Sequence, residues 1–119
     1  MANAYQEENL PNEVKDFHRV LSSAIEELEA VDWYHQRAAT TSDGEAKSIF
    51  EHNRDEEIEH FAMNVEWLRR NNKAFDEALR GFLFSEGAIV GAEAAFTGGD
   101  ISGESESSGG GSLGVGSLK

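Results

Sequence analysis

Apolar residues recur at Val14, Phe17, Leu21, Ala24, Leu28 and Val31, at spacings of three and four, and no glycine or internal proline interrupts the chain from about Pro11 to Ala39. That spacing predicts one helix with a single buried stripe. A second helix is predicted to begin where Ser42 and Glu45 form a capping box, the serine accepting from a backbone N–H and the glutamate reaching back. It runs to about Asn71 through Ile49, Phe50, Phe61, Met63, Val65, Trp67 and Leu68. Each helix has roughly 28 residues and, at 1.5 Å rise per residue, a length of about 42 Å. The few residues around Thr40 to Gly44 leave room for a short turn, so the pair forms an antiparallel hairpin. A short apolar segment follows over Asp76 to Phe84, with Phe75, Leu79, Phe82, Leu83 and Phe84. Ala88 to Phe96 is expected to form a last weak turn or helix, broken by Gly91.

Two helices and a stub cannot enclose a core, because a hairpin leaves one side of each apolar stripe in water. The expected fold class is therefore all-α: an antiparallel two-helix hairpin plus a short C-terminal helix, dimerising into a four-helix bundle. The greasy Phe82 to Phe84 segment is a candidate for further contacts between subunits.

Composition narrows the partners. The 119 residues carry a formal net charge of −13, from 23 acidic and 10 basic side chains, and contain no cysteine. Such a surface repels phosphate backbones and anionic lipid, so neither nucleic acid nor membrane is an expected partner. No apolar run approaches the length of a membrane span, and no basic-then-apolar leader is visible, which makes a cytoplasmic protein the default. Without thiols, any metal chemistry must use carboxylates and histidine. Eight of the 12 glycines fall between Thr97 and Lys119, with six serines and the acids Asp100, Glu104 and Glu106. This composition predicts a folded region over 1–96 and a flexible linker over 97–112. Leu113, Val115 and Leu118 then return in a short apolar tip over 113–119, which reads as a docking peptide.

The second helix carries Asp55-Glu56-Glu57-Ile58-Glu59-His60, and such a run ordinarily marks a solvated face with Arg54 among its counter-charges. Glu57 departs from that pattern, because it lies four and eight residues from Phe61 and Val65 and so points along the apolar side. His60 is three residues on and neighbours Glu57 on the helix surface. Glu27 repeats the anomaly in the first helix, on a row with Val20, Ala24, Val31 and Tyr34 that carries it toward the core. A buried carboxylate must be neutralised, paired or bound to metal. A salt bridge to Arg54 is the plain structural alternative. Hard oxygen ligands with one imidazole suit iron or manganese rather than structural zinc. The four-helix di-iron carboxylate site uses a Glu from each of two helices and a Glu-x-x-His from each of the other two. This chain holds half of that set, so a complete site needs two copies about a two-fold axis.

Three stretches carry a resemblance to a known family: Glu26-Glu27-Leu28-Glu29-Ala30-Val31-Asp32-Trp33-Tyr34, His52-Asn53-Arg54-Asp55-Glu56-Glu57-Ile58-Glu59-His60 and Glu66-Trp67-Leu68-Arg69-Arg70. Over most of the folded region the chain resembles the encapsulated ferritins, ferritin-like proteins that load iron into encapsulin shells. The resemblance implies a ferroxidase centre between two subunits with Glu27, Glu57 and His60 as iron ligands. It further implies weaker metal contacts from Glu26 and Glu29 near the entry route, and Trp33 and Tyr34 beside the centre. It implies a decameric ring of five dimers, and a targeting peptide over Leu113 to Leu118 that docks on the inner wall of the shell, placing the protein in a cytoplasmic nanocompartment.

The reaction so implied is oxidation of Fe²⁺ by O₂ at the paired site, with ferric product passed on for mineral storage in the shell. Tyr34 is a candidate redox neighbour or hydrogen-bond partner to a ligand, although an inward tyrosine more often packs. Trp33 is more simply a packing or access residue. His35 has no evident role, while His18 and His52 read as surface or interface residues. Two other functions fit the same residues: a non-catalytic helical oligomer or adaptor with a buried Glu/His network, and a di-iron protein that uses peroxide.

Overall fold

The computed structural model describes residues 4–102. All regular secondary structure among the described residues is helical: α1 (Asn12–Thr40), α2 (Gly44–Asn71), α3 (Lys73–Phe82) and α4 (Ile89–Ser102). The chain divides after Leu68 into two units. The apolar tip with Leu113, Val115 and Leu118, and the linker beyond Ser102, lie outside the described residues.

In the first unit, α1 and α2 pair in opposite directions. Glu27 meets Asn64, whereas Tyr34 and His35, two turns further along α1, meet Phe50 and Arg54 earlier in α2. Pro11 opens α1 without a side-chain cap. Its carbonyl accepts from Val14 and Lys15, each at 3.1 Å, while its ring holds φ at −61° in the extended conformation of a cap residue. The start of α2 differs from the expected Ser42 and Glu45 capping box. Asp43 is the cap: its Oδ2 accepts from the Ala46 N–H at 2.8 Å, while the Thr41 hydroxyl accepts from the Asp43 N–H at 3.2 Å. Aspartate is at least as good a cap as serine, and its charge also suits the positive end of the helix dipole. A cap of this kind contributes about 1 kcal/mol.

In the second unit, Asn72 interrupts the helical path with an extended backbone and caps α3, its side chain accepting from the Phe75 N–H at 2.9 Å. The helix therefore begins at Lys73, earlier than the apolar spacing suggests. It ends at Phe82, because Leu83 turns to an extended backbone while its N–H still donates to the Leu79 carbonyl, and Phe84 beyond it is left-handed with φ 62°. The last helix is longer than the expected weak turn and passes through Gly91 without a break. α3 and α4 pack through Phe82 and Phe96, with ring centroids 5.7 Å apart. The contact uses the bare backbone of Gly81, where an added Cβ would lie 2.7 Å from Phe96 Cδ1.

The core is small. Among the described residues, Ala24, Ala38 and Leu68 are the buried apolar side chains, and no large side chain is fully enclosed. Val14 and Leu28, expected in the buried stripe of α1, are exposed, as are Ile49 and Met63 of α2. A hairpin offers each helix one neighbour, so apolar positions on the flanks of the stripe stay in water. Val14, Ile25 and Leu28 form one such exposed flank of α1 beside the half-buried Leu21, with Leu28 49% exposed.

Candidate metal centre

Glu27 leaves α1 about midway along the hairpin, and Glu57 and His60 leave α2 one turn apart. Each offers one ligand atom, and these atoms all lie within 4.8 Å of one another. His60 Nδ1 is 3.5 Å from Glu57 Oε1. Bonds of about 2.0–2.2 Å to a metal put two ligands of one ion at most about 4.4 Å apart, so a small side-chain rotation closes the group around a cation. Among the described residues it is the one such group of three or more histidine or acidic side chains.

Helix geometry explains the convergence. Glu57 and His60 are three residues apart and so project from neighbouring positions on one face, and the antiparallel register brings Glu27 opposite them. Asn64 carried no role in the sequence analysis. It lies four residues beyond His60, and its amide Nδ2 donates to Glu27 Oε1 at 2.8 Å. That bond fixes the rotation of the carboxylate, much as outer hydrogen bonds orient metal ligands elsewhere. An amide that follows Glu-x-x-His by one further helical turn was the available signal.

The burial of these groups differs from the expectation. Glu27 was expected to be carried into the core, yet it is half-buried, the Glu57 side chain is 29% exposed and that of His60 46%. The group stays partly open to solvent because a two-helix hairpin has no third element to cover it. Arg54, the neutralising partner of the structural alternative, turns elsewhere. Its Nε is 3.0 Å from Asp55 Oδ1, and its Nη1 is 3.2 Å from His35 Nδ1. Arg54 is the donor in that second contact, so the His35 Nδ1 accepts. Two carboxylates and an imidazole thus face one point, a donor set that favours a hard or borderline cation.

The remaining candidates are placed around this group rather than in it. Glu26 is exposed and Glu29 half-buried on α1, and neither joins the three-residue cluster. Tyr34 lies two helical turns from Glu27, its ring stacked on Phe50 at 6.5 Å and covered by the Arg37 guanidinium at 5.4 Å. Trp33 is half-exposed beside Gln36 and Arg37. His18 packs against the Tyr5 ring at 4.7 Å and lies 3.4 Å from the Ser22 hydroxyl, while His52 pairs with Glu56 at 3.2 Å. No helix among the described residues is long and apolar enough to cross a membrane.

Known proteins share both the sequence and the fold. The chain is 51% identical over 117 residues to the encapsulated ferritin-like protein of Rhodospirillum rubrum, covering 94% of this chain and 84% of that one. It is 50% identical over 112 residues to a ferritin-like protein of Thermotoga maritima, covering 92% and 94% of the two chains. The crystal structure of protein ne0167 from Nitrosomonas europaea is similar with a TM-score of 0.70 and 49% identity, over 72% of this chain and 97% of that one. The family model described as EncFtn-like matches residues 2–86, and with these relatives it shows that the chain belongs to the EncFtn-like family.

Proposed function

We propose that the chain is a ferroxidase that oxidises Fe²⁺ with O₂ at a di-iron site shared by two copies. The observation that carries this reading is the convergence of Glu27, Glu57 and His60 at the open edge of a hairpin that buries almost no apolar side chain. One chain supplies half of a di-iron carboxylate ligand set, and a second copy related by a two-fold axis supplies the rest. The same approach covers the exposed flanks of α1 and α2 and completes a ferritin-like four-helix bundle. Five such dimers in a ring, as the family resemblance implies, make the assembly.

Iron is the substrate here. Two ions bound side by side each give one electron, so that two Fe²⁺, one O₂ and two protons yield two Fe³⁺ and one hydrogen peroxide. The carboxylates of Glu27 and Glu57 favour the more highly charged product and so drive oxidation. Asn64 holds Glu27 in position by its amide bond. Glu26 and Glu29 collect Fe²⁺ near the entry as secondary metal contacts, aided by the acidic surface and weakened by salt. Tyr34 supplies a redox-capable phenol near the centre, and Trp33 limits access. An anaerobic Fe²⁺ titration followed by native mass spectrometry should give two iron ions per pair of chains. One ion per chain with no pairing would point to a monomeric binding protein, and no uptake to a helical oligomer or adaptor. Hydrogen peroxide outpacing O₂ as oxidant would assign the peroxide-using alternative.

Storage of the ferric product belongs, in this reading, to an encapsulin shell that the protein enters through Leu113, Val115 and Leu118 at the end of a Gly/Ser-rich tether. Deleting residues 113–119 is expected to abolish loading into a co-expressed shell while O₂ consumption per chain stays unchanged. Retained loading would refute the docking role.

A further inference from the structure

The row of α4 that meets α3 runs through Phe96, whose ring closes on Phe82 and Gly81. Ala92 and Ile89 continue that row toward the start of the helix, at spacings of four and three. Ala92 is half-buried, but Ile89 is 71% exposed. Val90 beside it is 79% exposed, and Leu83, in the connection from α3, is 45% exposed. Between Ile89 and Phe96 the sole charged residue of α4 is Glu93, and a helix apolar on almost every side ordinarily lies buried. The first turn of α4 is thus an apolar patch that α3 leaves open.

Acids flank this patch. Glu93 lies four residues from Ile89 and three from Val90, and so borders both on the helix surface, while Glu86 precedes the helix. Both are exposed, and among the described residues neither makes an ion pair. The complementary charge comes late in the same chain. Lys119 is the one basic residue after Arg80, and it follows Leu113, Val115 and Leu118 directly. A second copy set on this patch about a two-fold axis would instead bring both acids against their own counterparts.

We propose that the apolar tip over 113–119 docks on this patch of its own chain, with Val115 and Leu118 against Ile89, Val90 and Leu83, and Lys119 beside Glu86 and Glu93. The distances allow it. The 14 residues of α4 rise about 21 Å from its first turn to its last. Residues 103–112 join that last turn to Leu113, and a stretch of this length extends to at most about 35 Å. A Gly/Ser-rich stretch of this length has a typical span of roughly 17 Å, which sets the concentration of the tip at the patch on the order of millimolar. A tip held on its own chain is withheld from other partners, which bind it only by outcompeting that contact. Patch and tip both belong to the unit from Arg69 onward, and Glu27, Glu57 and His60 to the unit up to Leu68. The proposal therefore rests on neither the ferroxidase reading nor the shell.

The test is methyl NMR of the full-length protein labelled at isoleucine, leucine and valine. Through-space contacts are expected between the methyl groups of Ile89 or Val90 and those of Val115 or Leu118. Deleting residues 113–119 should shift the signals of Leu83, Ile89 and Val90 and leave those of Ile49 and Ile58, in the other unit, where they are. Val90→Asp should lower the docked population at least about tenfold, the scale of one apolar side chain returned to water. Lys119→Glu should lower it about threefold, the scale of one surface ion pair. Helix content should stay at the wild-type level in Val90→Asp, since residue 90 is largely exposed. Unchanged Ile89 and Val90 signals on deletion of the tip would overturn the proposal. So would contacts that arise only between differently labelled chains in a mixed assembly, which would give the patch to a second copy.

Discussion

Glu57→Ala is expected to lower Fe²⁺-dependent O₂ consumption by about a hundredfold or more, since loss of a mere supporting partner of a metal ligand already costs 10–100-fold in affinity or activity. The substitution removes one of the two carboxylates that face the common point and leaves His60 without its neighbour at 3.5 Å. Helix content measured by circular dichroism should be unchanged or slightly raised, because alanine is the better helix former and Glu57 is no part of a packed core. Glu56→Ala provides the control: Glu56 is exposed and pairs with His52, so oxygen consumption should match the wild type. Equal activity in Glu57→Ala and Glu56→Ala would remove the ferroxidase assignment. Retained iron binding with lost oxidation would instead confine the role of Glu57 to the redox step.

Leu28→Asp should produce the other large effect, dissociation of the oligomer. Leu28 sits on the exposed flank of α1 that a second copy covers in the proposed dimer, and an unpaired carboxylate taken out of water there costs several kcal/mol. Sedimentation velocity should show separated chains at concentrations where the wild type is fully assembled. Oxygen consumption should fall with assembly, because each chain then keeps half of a ligand set. The melting temperature of the wild type should rise with protein concentration, as expected where folding and association are linked, and this dependence should vanish in the variant. Leu28→Met should behave as the wild type, since it keeps the apolar contact. An unchanged sedimentation profile for Leu28→Asp would place the interface elsewhere.

The helices were legible because their apolar residues recur at three and four over long stretches, and because Pro11 and the short Thr40 to Gly44 segment punctuate them clearly. The same periodicity places Glu57 and His60 on one face, and the hairpin register brings Glu27 to them. What periodicity cannot show is which flank of a face is covered. Val14, Leu28, Ile49 and Met63 look like core residues by spacing, yet a two-helix hairpin has no third element to cover them. The fate of Arg54 was equally hidden. Its proximity to Glu57 in sequence suggested neutralisation, whereas its guanidinium reaches across to His35 on the other helix and sideways to Asp55. The cap of α2 moved by a single residue, from Ser42 to Asp43, because both residue types serve the purpose and local sequence does not choose between them. The meeting of Arg69 and Arg80 at Asp76 was hidden as well, because it depends on the extended backbone of Asn72 between α2 and α3.

Gly81 gives the second unit a mechanical weak point that lies well away in sequence from Glu27, Glu57 and His60. Since the Phe96 ring occupies the space that any Cβ at this position would claim, a single methyl group acts as a wedge between the last two helices. Position 81 is thus a keyhole whose emptiness keeps α3 and α4 latched. Engineering that aims to loosen the C-terminal end of the protein has a one-carbon handle there, and the proposed oxidation site belongs to the other unit.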